Sequence, residues 1–125
     1  MLGQPAERVF KTLVTTGRSG AHYVFVIPAA AELDLRKAAR AVGEKSIEML
    51  KSRDLLPLTG YVHGGCSPIG MKKSFVTTLD ASAERMDAIF FSAGRIGLQV
   101  EMSPADLARV IRFGYAPLTA EPENG

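Results

Sequence analysis

Two runs rich in β-branched residues stand close together near the start of the chain. They are Val9-Phe10-Lys11-Thr12-Leu13-Val14-Thr15-Thr16 and Tyr23-Val24-Phe25-Val26-Ile27-Pro28, with Gly17-Arg18-Ser19-Gly20 between them. Branching at Cβ suits the pleated surface of a strand, and a short segment with a glycine at each end turns a chain back on itself, so a hairpin is expected here. Further strand pairs outnumber helices, and no strand–helix–strand alternation is sustained. The pattern therefore predicts a single α+β domain built on a mixed or antiparallel sheet rather than a doubly wound parallel one.

The remaining elements follow the same local logic. A helix is expected from Asp34, with Leu35, Ala38, Ala39 and Val42 on one face and Gly43 placed to end it. Residues 46–50 read as a short strand and 52–56 as a helical turn. Residues 75–79 and 88–92 read as strands joined by a polar stretch, 80–87. Ala93-Gly94-Arg95 turns into a strand at 98–102, and Gly94 and Gly97 are read as turn residues, since their spacing is only a fragment of a dinucleotide-binding fingerprint. Ser103 as cap, Pro104 at the first position and Asp106 predict a last helix that presents Leu107, Val110 and Ile111 on one face and stops at Gly114. The tail from Glu121 to Gly125 is expected to fray.

With 125 residues, 46% of them hydrophobic, the chain is sized for one compact domain with its own core. It contains no apolar run of about eighteen residues and no charged-then-apolar leader, so neither a membrane span nor a secretory signal is expected, and the cytoplasm is the expected location. A single cysteine cannot form an internal disulfide. Fifteen basic against 13 acidic residues give a net charge of +2, which is not the footprint of a protein that holds nucleic acid by charge alone. A few phosphates could be met by Lys45, Lys51, Arg53, Lys72, Lys73, Arg95 and Arg112.

The segment from Gly60 to Lys73 gathers four glycines, the only cysteine, one of two histidines and a lysine pair. Glycines let backbone N–H groups approach a ligand, and successive N–H donors in a tight turn form a concave site for carbonyl or phosphate oxygens. It is not a P-loop, because Ser67 precedes Pro68 and the lysines follow Gly70. His63-Gly64-Gly65 is like the oxyanion turn of lipases, but the chain has no Gly-x-Ser-x-Gly elbow to supply their nucleophile. Cys66 with His63 raises the question of an activated thiol, against which stand the lack of a residue to orient the histidine and the habit of lone cysteines to fill cores. One cysteine with His22 and His63 offers no metal-ligand spacing, so neither metal nor cofactor is expected.

Strand alternation puts Val9, Lys11 and Leu13 on one face and Phe10, Thr12 and Val14 on the other. Lys11 is either an edge lysine that discourages aggregation or a partly desolvated ammonium that binds a carbonyl or phosphate and stabilises developing negative charge.

Phe10-Lys11-Thr12-Leu13, Leu33-Asp34-Leu35-Arg36-Lys37, Thr59 to Gly70 and Ser92-Ala93-Gly94-Arg95-Ile96-Gly97-Leu98-Gln99-Val100-Glu101 together resemble, in order and over about Val9 to Gly114, the YbaK/EbsC family. These are aminoacyl-tRNA deacylases related to the editing insertion of bacterial prolyl-tRNA synthetases. The resemblance implies a twisted, barrel-like sheet with surrounding helices. It also implies that Lys11 is the residue on which editing depends, that Gly64 and Gly65 line the aminoacyl pocket with Ser92, and that Gln99 stands where some members carry an aspartate. Cys66 becomes a structural loop residue.

The activity implied is trans-editing: hydrolysis of the ester on mischarged tRNA, above all cysteine on tRNA for proline. The 3′ end of aminoacyl-tRNA and prolyl-tRNA synthetase are the implied partners, with no membrane and no DNA. Alanine on the same tRNA, or a non-catalytic module that binds the tRNA end or the synthetase, are the alternatives. Relatives usually place a strand with a His-x-Tyr-like element and a helix ahead of the Lys-Thr-Leu strand. Here only Met1 to Arg8 precede Val9, so residues 1–125 are read as one such domain without that portion, which would cover one side of the pocket.

Overall fold

The computed structural model describes residues 6–121. Strands β1 (Phe10–Gly17) and β2 (His22–Pro28) form the expected hairpin, in register from Phe10 opposite Pro28 to Thr16 opposite His22. Helix α1 (Leu35–Val42) follows, then β3 (Ile47–Met49), α2 (Ser52–Thr59), β4 (Val76–Asp80), a 3-10 turn at Ala81–Arg85, β5 (Ile89–Arg95), β6 (Leu98–Met102), α3 (Pro104–Leu107) and β7 (Gly114–Ala116). The main sheet has the order β3-β1-β2-β4-β7. Its β1 contacts are antiparallel, while β4 runs parallel to both β2 and β7, so the sheet is mixed and the fold is α+β. β5 and β6 form a separate antiparallel ribbon that meets β1 through a bridge between Val9 and Phe90. The wrap of the sheet comes from that meeting rather than from closure of the five-stranded ladder, whose edges are β3 and β7.

β2 is central, and its Val24 to Ile27 are all buried because both faces of the sheet are covered. On one face Phe25 and Ile27 pack with Ala38 and Ala39 of α1, Ile47 and Leu118. On the other, Phe10, Val14, Val24 and Val26 pack with Leu55, Cys66, Ile89, Phe91 and Leu107. Full burial of Phe25 alone contributes about 1.5–3 kcal/mol relative to exposure. Asp34 caps α1 by accepting hydrogen bonds from the N–H groups of Arg36 and Lys37 at 2.9 and 3.1 Å, and Gly43 ends it in the left-handed conformation. Both signals were read from the sequence, although Leu35 proves exposed rather than part of the packed face.

Three expectations are corrected. The helical turn expected at 52–56 runs on through Pro57 to Thr59. Pro57 removes a single N–H near the end of a short helix, and the Thr59 hydroxyl donates to Leu55 O at 2.7 Å in that last turn. The last helix ends at Leu107 instead of reaching Gly114, since Val110 is exposed and offers no buried face to hold further turns. Gly114 instead opens β7, which pairs with β4 from Thr78 to Asp80. The buried carboxylate of Asp80 fixes the exit of that strand by accepting from Leu118 N at 2.9 Å. The tail expected to fray lies, beyond Glu121, outside the described residues.

Candidate active site

β3 pairs only with Thr15 to Gly17 of β1, so among the described residues the earlier part of β1 has no strand beside it on that side apart from the bridge at Val9. A cleft of about 970 Å³ opens there, lined by all six residues from Val9 to Val14. Its opposite wall comes from the glycine-rich loop, through His63, Gly64 and Cys66, and from the β5–β6 ribbon, through Ser92, Arg95, Gly97, Leu98 and Gln99. Lys11, Gly64, Ser92 and Gln99, far apart in sequence, thus border one cavity. Gly65 does not line it. Of the seven basic residues named as phosphate candidates, Arg95 alone does.

The loop that supplies this wall is tied down from within. Gly60 leaves α2 in the left-handed conformation, with φ at 88°. Lys72 N donates back to Thr59 O at 3.0 Å, the Tyr61 hydroxyl donates to Ile69 O, and Ile69 N donates to the Ser67 hydroxyl at 3.2 Å. Within it Val62 to Gly65 form a β-turn closed by Gly65 N to Val62 O at 3.0 Å, and Gly64 takes the third position with φ at 85°, which favours glycine. The two glycines are therefore not equivalent. Gly64 is exposed at the cleft, whereas the N–H of Gly65 is already committed and Gly65 is buried beneath the β5–β6 turn. A Cβ on Gly65 would stand 3.3 Å from Ile96 N and 3.4 Å from Arg95 C, so its bareness permits the loop and the ribbon to touch.

Ser92 and Gln99 face each other across the ribbon. The Ser92 hydroxyl accepts from Gly94 N at 3.1 Å and so shapes the irregular turn between the strands. Gln99 is exposed at the rim and brings an amide, with both a donor and an acceptor, to the position. Lys11 is half-buried, lies opposite Ile27 in the hairpin register, and makes no ion pair with a described residue. Cys66 is 7% exposed and belongs to the larger core, and burial pushes its thiol up to about 11, so at neutral pH it carries its proton. This removes the basis for an activated thiolate. Among the described residues, no three His, Cys, Asp or Glu side chains gather as a metal site would need, and no helix is long and apolar enough to cross a membrane.

His63 and Thr12 are polar lining residues that the sequence does not mark as site residues. In sequence His63 is considered as a partner for Cys66, in a lipase-like turn and as a metal ligand with His22, and none of these readings makes it a site residue. Thr12 had been placed simply on the face opposite Lys11, and the signal that would have marked it is its position between Phe10 and Val14, a polar side chain on a core-facing stripe.

Comparison with known proteins gives the cleft its context. The aminoacyl-tRNA editing domain family matches residues 1–110. A candidate Cys-tRNA(Pro)/Cys-tRNA(Cys) deacylase of Enterococcus faecalis, EbsC, is 47% identical over 120 residues, covering 96% of this chain and 73% of that protein. A proline–tRNA ligase of Pelobacter propionicus is 28% identical over 85 residues, 68% of this chain but 15% of the ligase. Among solved structures, a candidate trans-editing enzyme for prolyl tRNA synthetase superposes with a TM-score of 0.85 at 25% identity, covering 96% of this chain and 75% of that one. A scaffold protein used for computational epitope-backbone grafting gives 0.88 at 26% identity, covering 97% and 77%. With its α+β fold and its sequence both in common with these proteins, the chain belongs to the aminoacyl-tRNA editing domain family, among the YbaK/EbsC proteins.

Proposed function

We propose that the protein is a trans-editing deacylase that releases cysteine from mischarged tRNA for proline. The observation that carries this reading is the convergence of Lys11, Gly64, Ser92 and Gln99 on one cleft, in a chain 47% identical to a candidate deacylase of that substrate. Such an activity answers a physical need. A synthetase pocket that must accept proline discriminates against a similarly sized competitor by only about 1–3 kcal/mol, so a second site of different shape has to remove the error.

In this reading the terminal adenosine and its aminoacyl ester enter the cleft, with the ester carbonyl held between the Lys11 ammonium and the exposed Gly64 N–H. As the carbonyl carbon becomes tetrahedral its oxygen gains negative charge, and an ammonium in a partly desolvated cleft stabilises that charge more than it stabilises the ester. Ser92 and Gln99 hold the acyl group from the ribbon side, and Arg95 meets phosphate at the mouth. The nucleophile is the substrate's own thiol. Its sulfur attacks the ester carbon, the bond from that carbon to the ribose oxygen breaks, the thiol proton ends on the departing ribose hydroxyl, and water then opens the cyclic thiolactone so formed to give free cysteine. Protonation and burial of Cys66 leave no protein thiol to compete. Prolyl-tRNA synthetase is the proposed partner that delivers the mischarged tRNA.

The test is the release of free amino acid from cysteinyl-, alanyl- and prolyl-tRNA for proline. Preferential release of cysteine supports the reading. Preferential release of alanine would assign water as the nucleophile, and binding without any release would make the chain a recognition module.

A further inference from the structure

Thr12 carries the one buried side-chain oxygen or nitrogen that has no hydrogen-bond partner among the described residues. Buried hydroxyls elsewhere are bonded: Thr15 donates to Tyr23 O at 2.9 Å, Thr59 to Leu55 O at 2.7 Å and Thr77 to Phe75 O at 3.0 Å. An unmade hydrogen bond on a buried group is unfavourable and is retained where the group has a use. This one lies on the cleft.

The backbone of Thr12 is open to the same side. Ala29 N donates to Val9 O and Gly17 N to Ala21 O, so by the period of two in an antiparallel ladder Val9, Lys11, Leu13 and Thr15 bond to β2. The N–H and C=O of Thr12 therefore point away from β2, where β3 has not yet begun to pair. Oγ1 and C=O are both acceptors.

The charges around the cleft are one-sided. Lys11 and Arg95 line it, and among the described residues no aspartate or glutamate does. Cations suit the ester carbonyl and the phosphates of an aminoacyl-tRNA end. They do not suit its remaining polar group, the α-amine, which has N–H donors to place and meets no carboxylate here. We infer that the Thr12 hydroxyl accepts a hydrogen bond from the substrate's α-amino group, which makes Thr12 a further substrate-binding residue and sets the acyl carbonyl toward Lys11. The inference rests on the deacylase reading and names how that site recognises an amino acid rather than any acyl group.

The experiment uses adenosine carrying cysteine through an unreactive 3′-amide, and the same compound with 3-mercaptopropionyl in place of cysteinyl, which lacks only the amine. Both are titrated against the wild type, Thr12→Val and Thr12→Ser, with thermal melts of each protein and turnover of cysteinyl-tRNA alongside. Valine keeps the shape and removes the hydroxyl. It should weaken binding of the cysteinyl amide about three- to tenfold, the worth of one hydrogen bond, and leave binding of the mercaptopropionyl amide unchanged, without lowering Tm. Serine, which returns the hydroxyl, should recover most of the affinity. Equal weakening toward both compounds, or a loss that tracks a lower Tm, would overturn the inference. A wild type that binds the cysteinyl amide in this Thr12-dependent way but does not hydrolyse cysteinyl-tRNA would overturn the deacylase reading alone, and one that binds neither compound would overturn both.

Discussion

Gly65→Ala is the most informative single methyl group that can be added to this protein. Gly65 is absent from the glycines of positive φ, so alanine is permitted by the backbone and the cost comes from contact alone. The new Cβ would stand 3.3 Å from Ile96 N, 3.4 Å from Arg95 C and 3.5 Å from Arg95 Cα, all main-chain atoms of the β5–β6 turn that cannot rotate aside. Relief requires the loop and ribbon to part by a few tenths of an ångström. Overpacking of this kind costs about 1–3 kcal/mol, which for a domain of this size lowers Tm by about 3–15 °C. The same displacement carries Ser92 and Gln99 away from β1, and misplacement on the ångström scale costs up to about 100-fold in rate. We expect a folded variant with a reduced Tm and cysteinyl-tRNA kcat/KM lowered at least about tenfold, measured in the same preparation. Gly64→Ala is the control for a different cause. Its Cβ would meet Ile96 Cγ1 at an ordinary 3.6 Å, but its φ of 85° strains alanine by about 1–2 kcal/mol. A Gly65→Ala protein with wild-type Tm and wild-type turnover would refute the argument that this bare Cα sets the width of the cleft.

Three further outcomes are expected. Lys11→Ala should lose about 100-fold or more in kcat while its Tm changes little, because in the proposed mechanism the ammonium acts on the transition state and it lies outside the packed cores; unchanged turnover would reduce Lys11 to a surface lysine. Cys66→Ser should stay within a few-fold of wild-type activity, and the fall of wild-type stability at alkaline pH should be shallower in Cys66→Ala, where the raised Tyr23 and Tyr115 hydroxyls remain. The thiol is 9.0 in its ordinary state and about 11 when folded, so the unfolded chain gives up its proton first, stability is intact below about pH 9 and falls as pH rises toward 11; urea melts across that range read it. Asp34→Ala should lower Tm at neutral pH. The N–H of Lys37 in particular holds the Asp34 carboxyl below its usual range, so the wild-type advantage should shrink as pH falls through that lowered value, as melts at acid pH would show.

What the sequence made legible was local chemistry. The hairpin, the Asp34 cap with its Gly43 stop, and the Ser92 to Gln99 turn each depend on residues within a few positions of one another. β7 was illegible because Gly114, Tyr115 and Ala116 become a strand only through pairing with β4, more than thirty residues earlier, and nothing in Gly-Tyr-Ala announces that partner. The site divides in the same way. The glycine-rich loop was recognisable as a site-builder, but that Gly64 would face the cleft while Gly65 spends its N–H on Val62 depends on which way the turn rolls against the ribbon. Thr12 could have been flagged as polar on an apolar stripe. Its lack of a partner needed the neighbouring strands to be in place.

The early stop of β3 has a consequence for how such a cleft drifts over generations. Because no strand among the described residues accompanies β1 alongside Thr12, a ligand there meets main-chain amide and carbonyl groups, which no side-chain replacement can delete. His63, Arg95 and Gln99 sit on turns and rim positions where exchange perturbs packing little. Part of the cavity lining is thus inherited as backbone and part as replaceable side chains, so a lineage can retune the rim while the main-chain groups beside Thr12 stay as they were.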